Sequence, residues 1–338
     1  MQVTTIGLDI AKSVFQVHGV DDRGRVALAR RLARGKVLAF FANLPRCRIG
    51  LEACGGAHHW ARELRALGHD ARLMPPQYVR AYVKTNKHDA ADAEACCEAV
   101  QRPGMRFVPV KSEEQQATLM LHRVRDQLIG QRTATIKALR GHLAELGIVA
   151  ARRQVGLREL LAALGEVEDH RIPPLAREVL QTLVAHLREL ADRVAELDRR
   201  LVAMTRSDPI CRALCEAPGV GPVIATAVIA TVPDATTFRS GRHLAAWLGL
   251  VPRQHSTGGK PRQLGLSKRG DGYLRRQLIH GARALVKVSP GRTGQLWSWI
   301  NGLRQRRPFN VVVAAVANKL ARIIWAMLSR GEAYRPAA

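Results

Sequence analysis

Short apolar runs of strand length open the chain. Residues 3–9 (VTTIGLD) form a run that ends on an acid, and residues 14–20 (VFQVHGV) follow after only Ile10 to Ser13, so the two predict a hairpin. Residues 25–32 predict a third strand, 36–43 a helix, and 47–52 (CRIGLE) another strand ending on an acid. His58 to Leu67 predicts a helix stopped by Gly68, and 70–74 (DARLM) a strand before Pro75 and Pro76. Strands and helices mixed at this pace predict an α/β sheet. From Ser112 to Arg206 the period changes. Leu119, Leu121, Leu128, Ile136, Leu139 and Leu143 form one helical run, and Val179, Leu183, Leu187, Leu190, Val194, Leu197 and Leu201 a second, with Pro173-Pro174 between them. This middle predicts a long helical hairpin or coiled-coil arm that serves as spacer or dimerisation element. A third region, rich in Gly, Pro and basic residues, starts at Ser207-Asp208-Pro209 and ends in helices through Trp325. The expected boundaries are 1–111, 112–206 and 207–338.

Composition adds partners to this outline. The chain has 338 residues, 47% hydrophobic but only 4% aromatic, so its cores are built mostly from Ala, Leu and Val. Lys and Arg number 53 against 28 Asp and Glu, a net charge of +25. A domain this basic repels itself unless a polyanion neutralises it, and nucleic acid is the usual polyanion. Charge alone suits a ribosome-associated or merely basic protein equally well. The six cysteines show no paired CxxC spacing for zinc and read as small buried thiols. No signal peptide opens the chain, and the apolar run from Val311 to Ala317 is cut by Asn318 and Lys319, so no membrane is expected and the location reads as cytoplasmic.

The acids carry the first chemistry. Asp9 in GLDIAK and Glu52 in GLEACGG end apolar strands, and Asp89 and Asp92 in KHDAADAEA are spaced to share one helix face. Singly, each has a plain explanation: a turn acid, a surface acid, an N-cap at Asp89. Together, in apolar settings and in a chain short of acids, they read as a site in which a metal satisfies the charge. Four hard oxygen donors suit two Mg²⁺ ions roughly 4 Å apart, as in phosphodiester chemistry, with Mn²⁺ an acceptable substitute.

The C-terminal third carries the rest. Pro218-Gly219-Val220-Gly221-Pro222 between helical stretches reads as half of a helix-hairpin-helix, with Gly219 and Gly221 offering N–H groups to a phosphate. Arg253, Lys260, Arg262, Lys268 and Arg269 crowd the stretch from Arg253 to Arg276. His255-Ser256-Thr257-Gly258-Gly259-Lys260 reads as a flexible loop beside that charge. Ser256 has an adjacent His255, room from two glycines and cations to clamp a phosphate. Residue chemistry alone favours a phosphate-binding loop over a nucleophile. Ser267 and Thr257 are the second and third candidates.

GLDIAK, GLEACGG and KHDAADAEA resemble the DEDD transposases of the insertion-sequence "one-ten" family, and GLVPRQHSTGGKPRQLGLSKRGDGYLR resembles that family's second domain. The resemblance implies a RuvC-like, RNase-H-type α/β domain, an α-helical coiled-coil arm and a mainly α C-terminal transposase domain. It implies excision and insertion of a mobile element, with Asp9, Glu52, Asp89 and Asp92 as metal ligands and Ser256 as the nucleophile that links covalently to DNA. It further implies target and donor DNA as partners, a structured noncoding guide RNA, and assembly as dimers and tetramers in the prokaryotic cytosol at the nucleoid. A RuvC-type junction-resolving nuclease and a non-catalytic nucleic-acid-binding scaffold are the alternative readings.

Overall fold

A computed structural model of the chain describes residues 2–84, 88–151, 154–166 and 170–336, and it divides into two compact units, Met1–Glu113 and Glu114–Ala338. The first unit contains β1 (Thr5–Ile10), β2 (Val14–Val20), β3 (Val26–Ala33), α1 (Val37–Ala42), β4 (Arg48–Glu52), α2 (Ala57–Ala66), β5 (Asp70–Met74), α3 (Pro76–Val79) and α4 (Asp89–Val100). The strands form one sheet in the order β3-β2-β1-β4-β5. β1 runs antiparallel to β2 and parallel to β4, so the hairpin and the mixed sheet expected from the apolar runs are both present. Alternation along the strands decides which face each element covers. Ile6, Leu8, Ile49 and Leu51 are fully buried on one face, in a core with Phe41 of α1 and Trp60 and Leu64 of α2. The opposite face receives α4.

The second unit begins with α5 (Glu113–Glu145), α6 (Gln154–Gly165) and α7 (Pro174–Ser207). Leu139 and Leu143 of α5, Leu160 and Leu164 of α6, and Leu180, Val184 and Leu187 of α7 share one core. The apolar face of α7 is thus turned toward helices of its own chain. Its buried positions are Leu180, Val184, Leu187, Leu190, Val194 and Leu201, whereas Val179 is 55% exposed, so the seam starts one residue later than the expected run. Asp198 sits within this seam and pairs with Arg125 of α5.

α8 (Pro209–Cys215), α9 (Pro222–Thr231), α10 (Gly241–Trp247), β6 (Pro252–Gln254), β7 (Gln263–Leu266), α11 (Gly272–Val288), α12 (Gln295–Arg304) and α13 (Phe309–Arg330) complete the unit. α13 is the centre of its core: Val312, Val313, Val316, Ala317, Leu320, Ala321 and Ile324 are all buried. This corrects the expectation at Asn318 and Lys319. By length and composition α13 passes as a membrane span, because two polar residues do not interrupt a helix of 22 residues. Here one face of it is buried in the protein core, Asn318 donates to the Leu250 carbonyl, and Lys319 lies over the Trp299 ring. Trp325 is a core residue, its indole N–H shared between the Ala235 and Phe238 carbonyls. Buried His122 joins α5 to this bundle: Thr226 donates its hydroxyl to Pro222, so it accepts from His122 Nε2–H, and the Tyr273 hydroxyl donates to Nδ1.

Candidate active site and nucleic-acid surface

Two glycines bring the acids together. Gly7 of β1 and Gly50 of β4 are register partners in the parallel pair. A Cβ on Gly7 would lie 2.0 Å from the Ala93 carbonyl oxygen and 2.3 Å from the Cys97 nitrogen, and one on Gly50 2.8 Å from the Cys96 carbonyl oxygen. The pair therefore forms a trough into which the α4 backbone sinks, and Ala93, Cys96, Cys97 and Val100 line the buried face of the helix. Asp9 and Glu52 lie two residues beyond Gly7 and Gly50, so strand periodicity turns both toward the α4 side. The N-terminal turn of α4 carries Asp89 and Asp92 toward the same end of the sheet, as their influence on Asp9 shows. The cap of α4 is His88, whose Nδ1 accepts from the Ala91 N–H at 3.2 Å, and not Asp89. Asp89 is thereby free of the N-cap role that would have explained it away.

Asp9 registers the gathering. Its carboxyl is pushed up to about 6, first by burial and then by the charges of Asp92 and Asp89, with a smaller push from Glu52, while the Ile10 N–H pulls the other way. These are the four expected acids. Among the described residues no three His, Cys, Asp or Glu side chains stand at ligation distance from one point, so the four carboxylates are within electrostatic reach and spread apart. The donor set is all carboxylate oxygen at the core of the cluster, the kind that suits a hard divalent cation, and a cation would remove the repulsion that raises Asp9. Burial, with the charges of Glu52 and Asp9, pushes the neighbouring Cys96 thiol up.

The trough makes a direct prediction. Gly7→Ala forces the α4 backbone away from β1 and should cost about 3 kcal/mol in urea unfolding of the full chain, with loss of cleavage although every acid is retained. Gly35→Ala is the control, because no atom lies within 4 Å of its Cβ position. Equal stability of the two variants would refute the trough.

In the second unit the stretch expected to be a flexible loop is the tip of a β-hairpin. β6 pairs antiparallel with β7, and Thr257 bridges to Lys260 across Gly258-Gly259. Both glycines have positive φ, 54° and 73°, as a two-residue type I′ turn requires. Ser256 is exposed, and its Oγ accepts from Gln254 Nε2 at 2.9 Å and from the Arg262 backbone N–H at 3.4 Å. Two donors on one hydroxyl oxygen stabilise negative charge there and leave its proton free to depart. Among the described residues no hydrogen bond joins His255 to Ser256. Ser267 has its Oγ sealed from solvent with no hydrogen-bond partner, so it is not placed to attack an external phosphate. Thr257 is exposed beside Ser256, with no hydrogen bond to its hydroxyl among the described residues.

Arg253, Lys260, Arg262, Lys268 and Arg269 are all exposed on this hairpin and the turn after it. The turn is rigid: Lys268 holds φ 55°, Gly249 and Gly270 allow backbone contact, and Arg275 donates to the Leu248 and Arg269 carbonyls. α8 and α9 form a short helical hairpin around Gly219 and Gly221. Gly219 has φ 79° and faces Leu285 and Gly281 of α11, so close packing explains that glycine without a phosphate. Gly221 is the N-cap of α9, followed by Pro222, which has no N–H to offer.

A five-stranded mixed sheet with acids at the ends of two neighbouring parallel strands, joined to a basic, mainly helical region, fits a DEDD-type transposase. Residues 6–148 match a family model described as "Transposase", the DEDD transposase domain of IS110 elements, and residues 211–297 match "Transposase IS116/IS110/IS902 family". The chain is 52% identical over 99% of its length, and the full length of the relative, to a "Probable family 20 transposase" of Pseudomonas aeruginosa. It is 41% identical to the "Transposase for insertion sequence element IS1111A" of Coxiella burnetii, covering 98% of this chain and 92% of that one. It is 39% identical to the "Transposase for insertion sequence element IS1328" of Yersinia enterocolitica, covering 98% of each. The chain belongs to the IS110/IS116 family of insertion-sequence transposases, enzymes that cut and rejoin DNA. The DEDD domain implies use of a divalent metal.

Proposed function

We propose that this transposase excises and inserts a mobile DNA element under the direction of a structured noncoding RNA, using a divalent-metal site of Asp9, Glu52, Asp89 and Asp92 and the nucleophile Ser256. The observation that carries the reading is the position of Asp9 and Glu52 at the ends of β1 and β4, on the side of the sheet packed by α4, whose first turn holds Asp89 and Asp92. When bound, Mg²⁺ (or Mn²⁺), in one or two ions, supplies positive charge at the scissile phosphate. The Ser256 Oγ forms a bond to phosphorus as the bond to a DNA oxygen breaks, and that oxygen takes up a proton. A second DNA hydroxyl then attacks the phosphoserine and restores the free serine. Each step exchanges one phosphodiester for another, so no external energy source is needed.

Arg253, Lys260, Arg262, Lys268 and Arg269 hold the strand by its phosphates. A net charge of +25 with 4% aromatics suits recognition of duplex nucleic acid, RNA included, by backbone and shape. The working form is a homodimer or homotetramer held through the α5–α7 arm, and it acts in the prokaryotic cytosol at the nucleoid. The test is reconstitution with element-end duplex, target duplex and the transcript of the element's noncoding flank. Joined product is expected only with the transcript and Mg²⁺, and EDTA should abolish it. Hydrolysed strands without joined product, whatever the RNA, would make the protein a junction-type nuclease instead.

A further inference from the structure

α11 carries a second cationic feature apart from the hairpin. Its buried face is Leu274, Leu278, Ala282, Leu285 and Val286. Arg276, His280, Arg283 and Lys287 follow at spacings of four, three and four, which return to one side of a helix. Arg276, His280 and Lys287 are exposed and Arg283 is half-exposed. At about 1.5 Å per residue the stripe runs roughly 16 Å along the helix. α11 contains no acid of its own, and Asp271, its N-cap, is occupied by the Leu274 N–H. The one ion pair to the stripe among the described residues is Arg276 with Asp126 of α5.

The same chain shows what a merely solvated basic face looks like. On α7, Arg193 pairs with Glu189 and Arg200 with Glu196, each one turn away. α11 forgoes that pairing, and its like charges sit close enough that Arg283 and Arg276 both act on His280. Such a row costs self-repulsion unless an anionic rod lies along it. The stripe is also continuous with the hairpin region, because Arg275, in the first turn of α11, holds the Leu248 and Arg269 carbonyls.

We propose that the Arg276–His280–Arg283–Lys287 face of α11 is a docking track for the phosphate backbone of duplex DNA, flanking the strand that is cut. DNA is the occupant because the family acts on DNA, and a straight row of charges with no exposed aromatic within it suits a duplex edge better than unstacked bases. The inference rests on that DNA activity and not on Ser256, since binding is read without chemistry.

The test uses the full chain and an unrelated 30-bp duplex, with fluorescence anisotropy across a KCl series. His280→Gln, Arg283→Gln and Lys287→Gln combined should weaken binding at least tenfold and reduce the slope of log affinity against log [KCl] by about 2, one for each of Arg283 and Lys287. Arg188→Gln, Arg193→Gln and Arg200→Gln combined, with the same loss of formal Lys and Arg charge or more, should change the slope by less than about 1. Arg283→Lys with Lys287→Arg keeps the charge and should bind as the parent does, which separates lost charge from lost packing. Equal losses in the α11 and α7 variants would overturn the track. So would weakened binding of a hairpin RNA with the duplex unaffected.

Discussion

Asp9→Asn should lower DNA strand cleavage by about a thousandfold and, in the same protein, raise the stability of the metal-free chain. The two effects have one origin. In the folded chain the Asp9 carboxyl titrates at about 6, against an ordinary value of 3.8, through burial and the charges of Asp92, Asp89 and Glu52. Between those values the unfolded chain has released the proton and the folded chain still holds it. The stability that protonation gives is therefore complete below about pH 4 and lost as pH rises through 6. Two pH units correspond to at most about 3 kcal/mol, so at pH 7.5 the metal-free protein folds against an appreciable charge penalty. Asparagine carries no charge and escapes it, and its melting temperature should stand several degrees above the parent's in EDTA at pH 7.5. At pH 4 the gap should vanish. Millimolar Mg²⁺ should raise the parent's melting temperature at pH 7.5 and leave Asp9→Asn nearly unmoved. Parent and variant that melt together in EDTA at pH 7.5 would mean that the four acids do not share a site.

How far such a site can be read from sequence depends on which physical signal each residue carries. Asp9 and Glu52 were legible because an acid that ends an apolar strand breaks a pattern, and Asp89 and Asp92 because a spacing of three shares a helix face. Gly7 and Gly50 were not, since their meaning is the closeness of α4, a helix more than 35 residues further along the chain from either. The hairpin of Ser256 had a local signal that went unused: Gly258-Gly259 between two extended stretches is a type I′ turn. Read as a turn, it would also have placed Gln254 and Arg262 on facing strands beside Ser256. On α7 the helical period admits two neighbouring seams, and partners on α5 and α6 buried Leu180 and Val184 while Val179 stays exposed and Leu183 packs at the margin. α13 was misjudged for a related reason. Asn318 and Lys319 mark where a long apolar helix meets its neighbours, not where it ends.

Ser256→Ala should abolish any covalent protein–DNA adduct and reduce strand exchange at least about a thousandfold, with DNA affinity nearly unchanged. The side chain is exposed at a hairpin tip, so its removal should leave the melting temperature within about 2 °C. Gln254→Ala takes away one of the two donors on Oγ and should cost an intermediate amount, about tenfold to a hundredfold in rate, again at constant affinity. His255→Ala should leave the adduct rate within a few-fold, because that ring makes no hydrogen bond to Ser256 among the described residues. Ser267→Ala supplies the opposing case. Its hydroxyl is buried without a partner, so the substitution should preserve exchange and leave stability equal or slightly higher. Adduct formation is read on a denaturing gel with end-labelled DNA, and exchange by amplification across the new junction. If Ser267→Ala removed the adduct and Ser256→Ala kept it, the nucleophile would be the sealed serine, and the second unit would have to open before it could act. If neither did, the acids alone would be cutting DNA with water.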